Sequence, residues 1–460
     1  GINGLHKATV QKVNMDNNQR SNIGYLGRAS YSYDDRYFFT GSYRRDGASV
    51  FGVNQKWGDF FAFGGAWRLS SEKFMSSISY LDDLKLKLSW GKNGNQGLDP
   101  YGTLSTINNG ASGGVRYEFG GSDIIYGLNQ KALGNANLGW ETTESWNTGF
   151  ESAWLGSRLF VDLDLYFSKT TDQIFTRDIP VMTGFKNMKS SMGQVNNRGV
   201  ELTIRSVNID TQDWYWTTNL TFWLNRNKLI HLYGEDLDGD GREDDDISNS
   251  RFIGKPLGAI YGYLQDGIVQ ETDVEYMKAN GATPGIPKYK DMDNDGVITS
   301  ADRIILGYST PNFKLNMSNT ITYKNWDLYF MLTGTFGGGG YYQKSNKGAY
   351  LTNGSGRFNT NGIYIPWWTP ENKSNEYPAA TFNDDGGRFL GLQNRAFVRL
   401  QDVTLSYTFR EPWVQKVNIQ NLKVFFTAKN LFTITKWQGG DPEVGVTVSE
   451  NTYPVLTSFS

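Results

Sequence analysis

Apolar and polar residues alternate along many short stretches of the chain, and this alternation predicts β-strands. In the segment 158–169 nearly every second residue is apolar, and most residues between them are charged or polar. The segments 83–90, 325–336 and 421–429 follow the same rule. Since side chains of a strand point alternately to its two faces, each segment has one apolar and one polar face. The pattern predicts about thirteen strands, at residues 21–33, 36–45, 57–69, 83–91, 143–154, 158–169, 196–206, 213–225, 312–323, 326–336, 396–409, 421–429 and 454–460.

The linkers between the predicted strands are alternately short and long. Residues 34–35 and 324–325 are short linkers, whereas 92–141 and 226–311 are long ones. Tight turns on one rim and long loops on the other are typical of an outer-membrane β-barrel. Several strands of roughly 10–14 residues carry aromatic residues near the ends of their apolar faces, as membrane-spanning strands do. The sequence therefore predicts an all-β, transmembrane antiparallel β-barrel with long extracellular loops in the outer membrane of a Gram-negative bacterium. Residues 70–82 (SSEKFMSSISYLD) are expected to form a short amphipathic helix on the periplasmic rim.

Composition and charge reduce the number of protein classes to which the chain could belong. The chain has 460 residues with a formal net charge of −2, so nothing suggests a nucleic-acid partner. Mean hydropathy is −0.50, and no run approaches the roughly 18 apolar residues of a transmembrane helix. The chain has no cysteine and two histidines, His6 and His231, which leaves little for a zinc or nucleophilic active site. An enzyme is therefore not expected, although a soluble all-β, calcium-binding lectin or hydrolase remains an alternative.

The odd number of strands predicts that residues 1–460 are the C-terminal part of a larger barrel. Single-chain bacterial barrels have even strand numbers, and an open sheet edge is not tolerated in lipid. Residues 1–12 (GINGLHKATVQK) also lack the features of a signal peptide. We therefore expect residue 1 not to be the true start of the protein.

Several blocks of sequence closely resemble the SusC/RagA family, the TonB-linked outer-membrane transporters that pair with SusD-like lipoproteins. The blocks follow the order of the family and together are specific to it. They are RYFFTGSYRRDGASVF (36–51), LKLKLSWGKNGNQ (84–96), LGNANLGWETTESWN (133–147), YFSKTTDQI (166–174), GQVNNRGVEL (193–202), FVRLQDVTLSY (397–407) and NLFTITKWQGGDPEV (430–444).

The resemblance implies a barrel of about 22 strands, of which the thirteen predicted here would be the last. It implies a plug and a TonB-contacting segment upstream of this chain, and TonB-dependent import of an oligosaccharide or oligopeptide. A SusD-like lipoprotein would cap the extracellular mouth, and lipid of the outer membrane would surround the barrel. A passive or adhesive barrel without energised transport remains an alternative.

The segment 291–302 (DMDNDGVITSAD) has the spacing of a calcium-binding loop. Such a loop supplies oxygen ligands from positions one, three, five, seven, nine and twelve, with glycine at position six. Gly296 occupies position six, and the ligand positions are those of Asp291, Asp293, Asp295, Val297 through its carbonyl, Thr299 and Asp302. Aspartate at position twelve departs from the usual glutamate. The alternative is a set of Asp-stabilised turns in a solvated loop. The resemblance implies a structural role for the ion.

A second acidic segment, 236–246 (DLDGDGREDDD), has a similar but poorer pattern. Asp236, Asp238 and Asp240 fit positions one, three and five, and Asp244 fits position nine. Ile247 at position twelve offers no side-chain ligand, so a solvated acidic loop tip is the alternative.

Aromatic residues in the long loops are the candidate ligand contacts, because aromatic faces stack on sugar rings and pack against peptide side chains. The candidates are Tyr364, Trp367, Trp368 and Trp437. The alternative is that these rings hold the loops together or touch the lipoprotein.

Overall fold

The described part of the chain consists mostly of antiparallel β-structure in the computed structural model. The structure describes residues 18–109, 116–118, 124–185, 187–341, 366–382, 392–410, 414, 419–437, 441–443 and 457–459. In chain order the strands are β1 (Asn22–Tyr33), β2 (Tyr37–Ala48), β3 (Trp57–Arg68), β4 (Leu81–Asn95), β5 (Thr106–Asn109), β6 (Arg116–Glu118), β7 (Ile124–Tyr126), β8 (Leu128–Ala132), β9 (Glu141–Trp154), β10 (Leu159–Asp178), β11 (Asn187–Asp210), β12 (Trp214–His231), β13 (Ala259–Tyr263), β14 (Gln265–Ile268), β15 (Pro287–Tyr289), β16 (Arg303–Tyr308), β17 (Pro311–Tyr323), β18 (Trp326–Gly337), β19 (Gly339–Tyr341), β20 (Leu392–Asn394), β21 (Phe397–Phe409), β22 (Leu422–Thr435) and β23 (Ser458–Phe459). One α-helix, α1, spans Val274–Asn280. Within these described ranges, no helix has the length and apolar character needed to cross a bilayer.

Thirteen strands form one sheet, in the order β1-β2-β3-β4-β9-β10-β11-β12-β17-β18-β21-β22-β23. Each strand runs antiparallel to its neighbours, and the order in the sheet is the order along the chain. The predicted all-β fold with thirteen antiparallel strands is confirmed, although β23 is described over two residues only. The assignment of this chain to the C-terminal part of a 22-stranded barrel stays a prediction.

One face of the sheet is apolar across many strands, and we call it the apolar face. Leu163 on β10 lies opposite Phe150 on β9 and Leu202 on β11. Leu202 in turn lies opposite Phe222 on β12. Residues directly opposite each other point to the same face of a sheet. Phe167, four residues after Leu163 and therefore on the same face, is 45% exposed. An exposed apolar face of this extent requires an apolar environment.

The other face of the same strands, the polar face, carries charged residues that pair with one another. Asp164, next to Leu163, lies opposite Glu201 on β11. The Lys87 ammonium on β4 contacts carboxylate oxygens of Asp162 at 2.9 Å, Asp164 at 3.2 Å and Glu151 at 3.2 Å. The alternation that predicted one apolar and one polar face for each strand is therefore confirmed for β10.

Short turns join the strands at one rim of the sheet. Asp34 and Asp35 link β1 to β2 with φ angles of 51° and 53°, the left-handed region that two-residue hairpin turns use. The turn is closed by the Arg36 backbone N–H, which donates to the Tyr33 carbonyl at 3.0 Å. The long linkers all lie at the opposite rim, which we call the long-loop rim.

The connection from β3 to β4 corrects one prediction. Residues 70–82 were expected to form a short amphipathic helix, but the structure has two 3-10 turns, Leu69–Ser71 and Lys73–Met75. Serine side chains compete with helical hydrogen bonds here, because Ser76 donates to the Lys73 carbonyl at 2.7 Å. The prediction of a helix was wrong, but the segment does lie near the short-turn rim, as predicted.

Strands β10 and β11 extend well beyond their predicted ends at residues 169 and 196. They stay paired up to Asp178 opposite Asn187. A bulge between Thr170 and Gln173 shifts the register, and Asp172 adopts a φ of 57° there. Because a bulge adds one residue to one strand, it interrupts the alternation of apolar and polar positions. The sequence pattern therefore predicted a loop at residues 170–195 where the structure has a hairpin.

Two small apolar cores lie toward the long-loop rim. The first comprises Ala48, Val50, Phe51, Leu98 and Leu138. The second comprises Phe175, Val195, Leu229 and Leu232. The second core lies at the base of the connection from β12 to β17, which carries both acidic loops.

Candidate functional site

The candidate metal loop lies inside the long connection from β12 to β17, which has its own small sheets. Strand β13 pairs with β16, and β14 pairs with β15. Helix α1 lies between β14 and β15 in sequence, and residues 291–302 lie between β15 and β16. The Asn280 side-chain oxygen at the end of α1 accepts a hydrogen bond from the Ile298 N–H at 2.6 Å. The loop is therefore attached to both small sheets and to the helix.

Three carboxylates converge in this loop. Oxygen atoms of Asp291, Asp293 and Asp302 all lie within 4.8 Å of one another. Asp302 has no exposed surface, and its two oxygens accept hydrogen bonds from the N–H groups of Met292 and Thr299, both at 2.7 Å. Asp302 ends the 3-10 turn Ser300–Asp302, which points its short side chain back to the other two carboxylates.

The electrostatics of the loop favour a cation. The Asp295 N–H lowers the pKa of Asp293, but burial and the negative charges of Asp295 and Asp302 outweigh this bond and hold that pKa above its ordinary value. Backbone N–H groups of Thr299 and Met292 lower the pKa of Asp302. Like charges this close repel each other, and a bound cation would remove that repulsion.

The remaining predicted ligands are placed differently. The Asp295 carboxylate accepts from the Val297 N–H at 2.8 Å and is not one of the three converging groups. The Thr299 hydroxyl accepts from the Ala301 N–H at 3.2 Å and caps the 3-10 turn. The three carboxylates of Asp291, Asp293 and Asp302 fit an oxygen-ligated cation, and the role of Asp295, Val297 and Thr299 as ligands stays a prediction.

The second acidic loop brings together a smaller part of its predicted set. Carboxylate oxygens of Asp236, Asp238 and Asp244 lie within 4.8 Å of one another. The Asp240 carboxylate instead accepts from the Arg242 N–H at 2.8 Å. Ile247 is 54% exposed. None of these three converging carboxylates is buried as Asp302 is.

Two consecutive long loops contact each other through a set of bonds that we call the clasp, formed by residues 366–382 and 268–289. The Ala379 N–H donates to the Gly285 carbonyl at 2.7 Å. The Ile268 N–H donates to the Asn375 side chain at 3.0 Å, and Lys373 pairs with Glu271 at 2.9 Å. The clasp joins the β12–β17 connection to the β18–β21 connection.

Trp368 lies inside the clasp. Its side chain is 8% exposed, and its indole N–H donates to the Gln270 side-chain oxygen at 2.9 Å. Gly285, with a φ of 91°, packs so closely that a Cβ there would lie 2.6 Å from the Trp368 ring. This placement supports the alternative in which Trp368 holds the loops together.

The other aromatic candidates differ in position. Trp367 is half-buried, and its carbonyl accepts from the Asn372 side chain at 2.7 Å. Trp437 is 6% exposed. Tyr364 lies outside the described residues. Ligand contact by Tyr364, Trp367, Trp368 or Trp437 stays a prediction.

A buried arginine that sequence reasoning did not single out fixes the last long loop. The Arg399 guanidinium, 5% exposed, contacts Asp441 at 2.6 Å and Glu443 at 3.1 Å. Arg395 donates to the carbonyls of Pro442 and Glu443, both at 2.9 Å. The sequence does contain an indication of this role, because Arg399 lies between apolar positions of a predicted strand. A charged residue that is buried there needs a partner.

Comparisons with known proteins agree with the fold. A membrane-facing apolar band, one rim of short turns and one rim of long loops define an outer-membrane β-barrel. The chain belongs to the family described as TonB dependent receptor-like, beta-barrel, whose model matches residues 3–431. Members of this family are transporters of the Gram-negative outer membrane and not enzymes.

Curated relatives of the chain agree with this family assignment. The chain is 30% identical over 470 residues to the TonB-dependent receptor SusC of Bacteroides thetaiotaomicron, covering 99% of this chain and 44% of that protein. It is 29% identical over 433 residues to the TonB-dependent receptor P3 of Formosa agariphila, covering 93% and 42%. The chain thus spans less than half the length of these curated relatives. The predicted resemblance to SusC/RagA transporters is confirmed.

Solved structures of the RagAB peptide importer show the same fold. In its open-open state the TM-score is 0.75 at 21% identity, covering 96% of this chain and 46% of that chain. In its closed-closed state the TM-score is 0.76 at 22% identity, covering 95% and 46%.

Proposed function

We propose that this chain forms part of a TonB-dependent importer that carries a nutrient across the outer membrane together with a SusD-like surface lipoprotein. The observation that carries the proposal is family membership over residues 3–431. The two faces of the sheet support it, because a transporter needs an apolar face toward lipid and a polar face toward its interior. The Lys87 cluster shows that this polar face holds charged side chains.

The proposed substrate is an oligopeptide or an oligosaccharide. RagAB, whose fold this chain shares, is a peptide importer, which supports the first class. Aromatic side chains at the long-loop rim support either class. Binding measured with both an oligopeptide and an oligosaccharide would distinguish these two substrate classes.

Import by the full-length protein should depend on energy transfer through TonB. Deleting the TonB-contacting segment is expected to abolish uptake of a labelled oligomer and to leave its binding at the cell surface unchanged. Deleting the partner lipoprotein should instead reduce capture at the mouth. Uptake and surface binding are measured in parallel on intact cells, with an uncoupler of the inner membrane as the control. Uptake that continues without TonB would assign the protein to the passive barrels.

We further propose that the loop 291–302 binds one Ca²⁺ ion with a structural role. Carboxylates of Asp291, Asp293 and Asp302 would hold it, because Ca²⁺ prefers several hard oxygen ligands. The Val297 carbonyl, Asp295 and Thr299 are the further ligands that the spacing provides. The ion would supply positive charge where three carboxylates meet.

Replacing Asp293 with asparagine is expected to weaken Ca²⁺ binding by about tenfold or more, since affinity follows the charge of the ligands. The change keeps an oxygen that can accept from the Asp295 N–H, so the loop itself should fold. Hydrogen exchange of residues 291–302, with calcium or a chelator, measures the binding locally. Asp238→Asn, at the same position of the second acidic loop, is the matched control. Equal protection of 291–302 with and without calcium in the unchanged protein would show that the motif is only a turn.

A further inference from the structure

Cations form a row across the apolar face near the long-loop rim. The strand register places five residues side by side on five neighbouring strands. In order across the sheet they are Lys92, Glu144, Lys169, Asn196 and Lys228. Two residues below them on each strand, the next row on the same face consists of Trp90, Trp146, Phe167, Arg198 and Arg226. We call Lys92, Lys169, Arg198, Arg226 and Lys228 the basic rim.

The basic rim points to the same side as the apolar band. Lys169 follows Leu163 by an even number of residues, before the bulge that begins after Thr170. Val195 and Leu229 are buried in the apolar core on the opposite side, so their neighbour Lys228 faces outward. Arg198, Arg226 and Lys228 are exposed, and Lys92 and Lys169 are half-buried.

The height of the basic rim matches the boundary of the bilayer. Leu159 begins the apolar series on β10 and Lys169 follows it. Ten residue steps span about 33 Å along a strand, or about 25 Å along the membrane normal at a tilt of roughly 40°. This equals the height of the apolar band of outer-membrane barrels, about 25 Å. Trp90 and Trp146 lie in the same row as Arg198 and Arg226, and the Trp90 N–H donates to Glu144 at 2.8 Å.

Within the described part of the sheet, the charges of the basic rim are not balanced by neighbouring carboxylates. Glu144 is the one carboxylate in these two rows, against five cations. Arg198 lies directly opposite Arg226, an arrangement that destabilises a sheet because like charges repel. Arg226 also donates to the Asn312 carbonyl at 2.6 Å, which leaves its charge uncompensated.

Two other cations on the same sheet have carboxylate partners. Arg45 on β2, also on the apolar side and near the same rim, contacts Asp59 at 3.6 Å. Lys87 on the polar face contacts three carboxylates. The five cations of the basic rim and the single carboxylate of Glu144 leave net positive charge on the apolar side of strands β4 and β9–β12, and an anion from the surroundings would offset it.

We propose that the basic rim binds the phosphate groups of the phosphorylated glycolipid in the outer leaflet. Arginine and lysine at headgroup level attract anionic lipid, and arginine binds phosphate through two parallel hydrogen bonds. Acyl chains of the same lipid would lie against the aromatic and aliphatic side chains below. The proposal depends on the position of the sheet in the membrane and is independent of the imported substrate.

Lipid binding to purified full-length protein in neutral detergent tests this proposal. Native mass spectrometry counts bound lipid after addition of phosphorylated lipid A, dephosphorylated lipid A or phosphatidylglycerol. Arg198→Gln is expected to weaken binding of phosphorylated lipid A about fivefold, and Arg198→Gln with Lys169→Gln about twentyfold. Arg45→Gln, which removes a paired cation, is the matched control and should bind as the unchanged protein does.

Stability measurements show whether a loss of lipid binding in a variant comes from a folding defect instead. Without anionic lipid, Arg198→Gln should raise the unfolding temperature, because one member of a like-charged pair is removed. Added phosphorylated lipid A should stabilise the unchanged protein more than the variant. Equal binding by Arg198→Gln and the unchanged protein, or equal binding of the dephosphorylated lipid, would overturn the proposal. Phosphatidylglycerol bound as tightly as phosphorylated lipid A would overturn the assignment to glycolipid.

Discussion

Replacing Leu163 with lysine is expected to lower the free energy of unfolding of the membrane-inserted protein by about 2–4 kcal/mol. Leu163 lies near the middle of the apolar series of β10, opposite Phe150 and Leu202. A charged side chain at this depth must leave water for hydrocarbon, which costs more than at the membrane surface. Denaturant unfolding from lipid vesicles measures the difference.

The matched control is Thr203→Lys on the polar face. Thr203 lies opposite Asp162, so the new ammonium would have a carboxylate close by, and we expect a small effect. Cysteine labelling gives an independent reading: Leu163→Cys should react with a probe dissolved in lipid, and Asp164→Cys with an aqueous one. Equal aqueous labelling of both positions would contradict the assignment of the two faces.

Replacing Trp368 with alanine should open the clasp between the two long loops. Truncation of a large buried aromatic costs about 3–5 kcal/mol, and here the bond from the indole N–H to Gln270 is lost as well. The cost should be local, so amide exchange should accelerate at Gly285 and Ala379, whose N–H groups bond to Val269 and Gly285 carbonyls. Hydrogen exchange followed by mass spectrometry checks this.

Trp368→Phe separates the structural role from ligand contact. It keeps most of the ring that packs on Gly285 and removes only the indole donor, so exchange in the clasp should rise less than in Trp368→Ala. Uptake that falls in Trp368→Phe without any change in exchange would show that the ring contacts substrate, as the sequence first suggested. Unchanged exchange in Trp368→Ala would instead refute the clasp.

The strands could be predicted because the apolar face imposes its periodicity directly on the sequence. From Leu159 to Phe167 every second residue is apolar, and β10 begins at Leu159. Beyond Thr170 the bulge shifts the alternation, so the rest of the hairpin could not be read from the pattern. Between Leu69 and Asp82, serine side chains bond locally and prevent the predicted helix, an effect that residue spacing does not reveal.

The candidate sites also differ in how far apart in the sequence their contacting residues lie, and only the nearby contacts could be predicted. Asp291, Asp293 and Asp302 lie within twelve residues of one another, so their spacing alone predicted that they meet. Trp368 and Gln270 are separated by 98 positions, and nothing in either local sequence identifies the partner. Short strands such as β13 and β16 were also missed, because five or six residues carry too little alternation to stand out from a loop.

The internal folding of the β12–β17 connection has a consequence for the order of assembly. Closing a connection of about 80 residues costs about 3 kcal/mol more chain entropy than closing a two-residue turn. Here the Ser309 N–H bonds to the Gly258 carbonyl, and the Leu229 N–H bonds to the Lys255 carbonyl. These bonds hold both ends of the connection close to each other in the folded protein. We therefore expect a connection that folds early to let β12 and β17 pair as two strands joined by a short turn do.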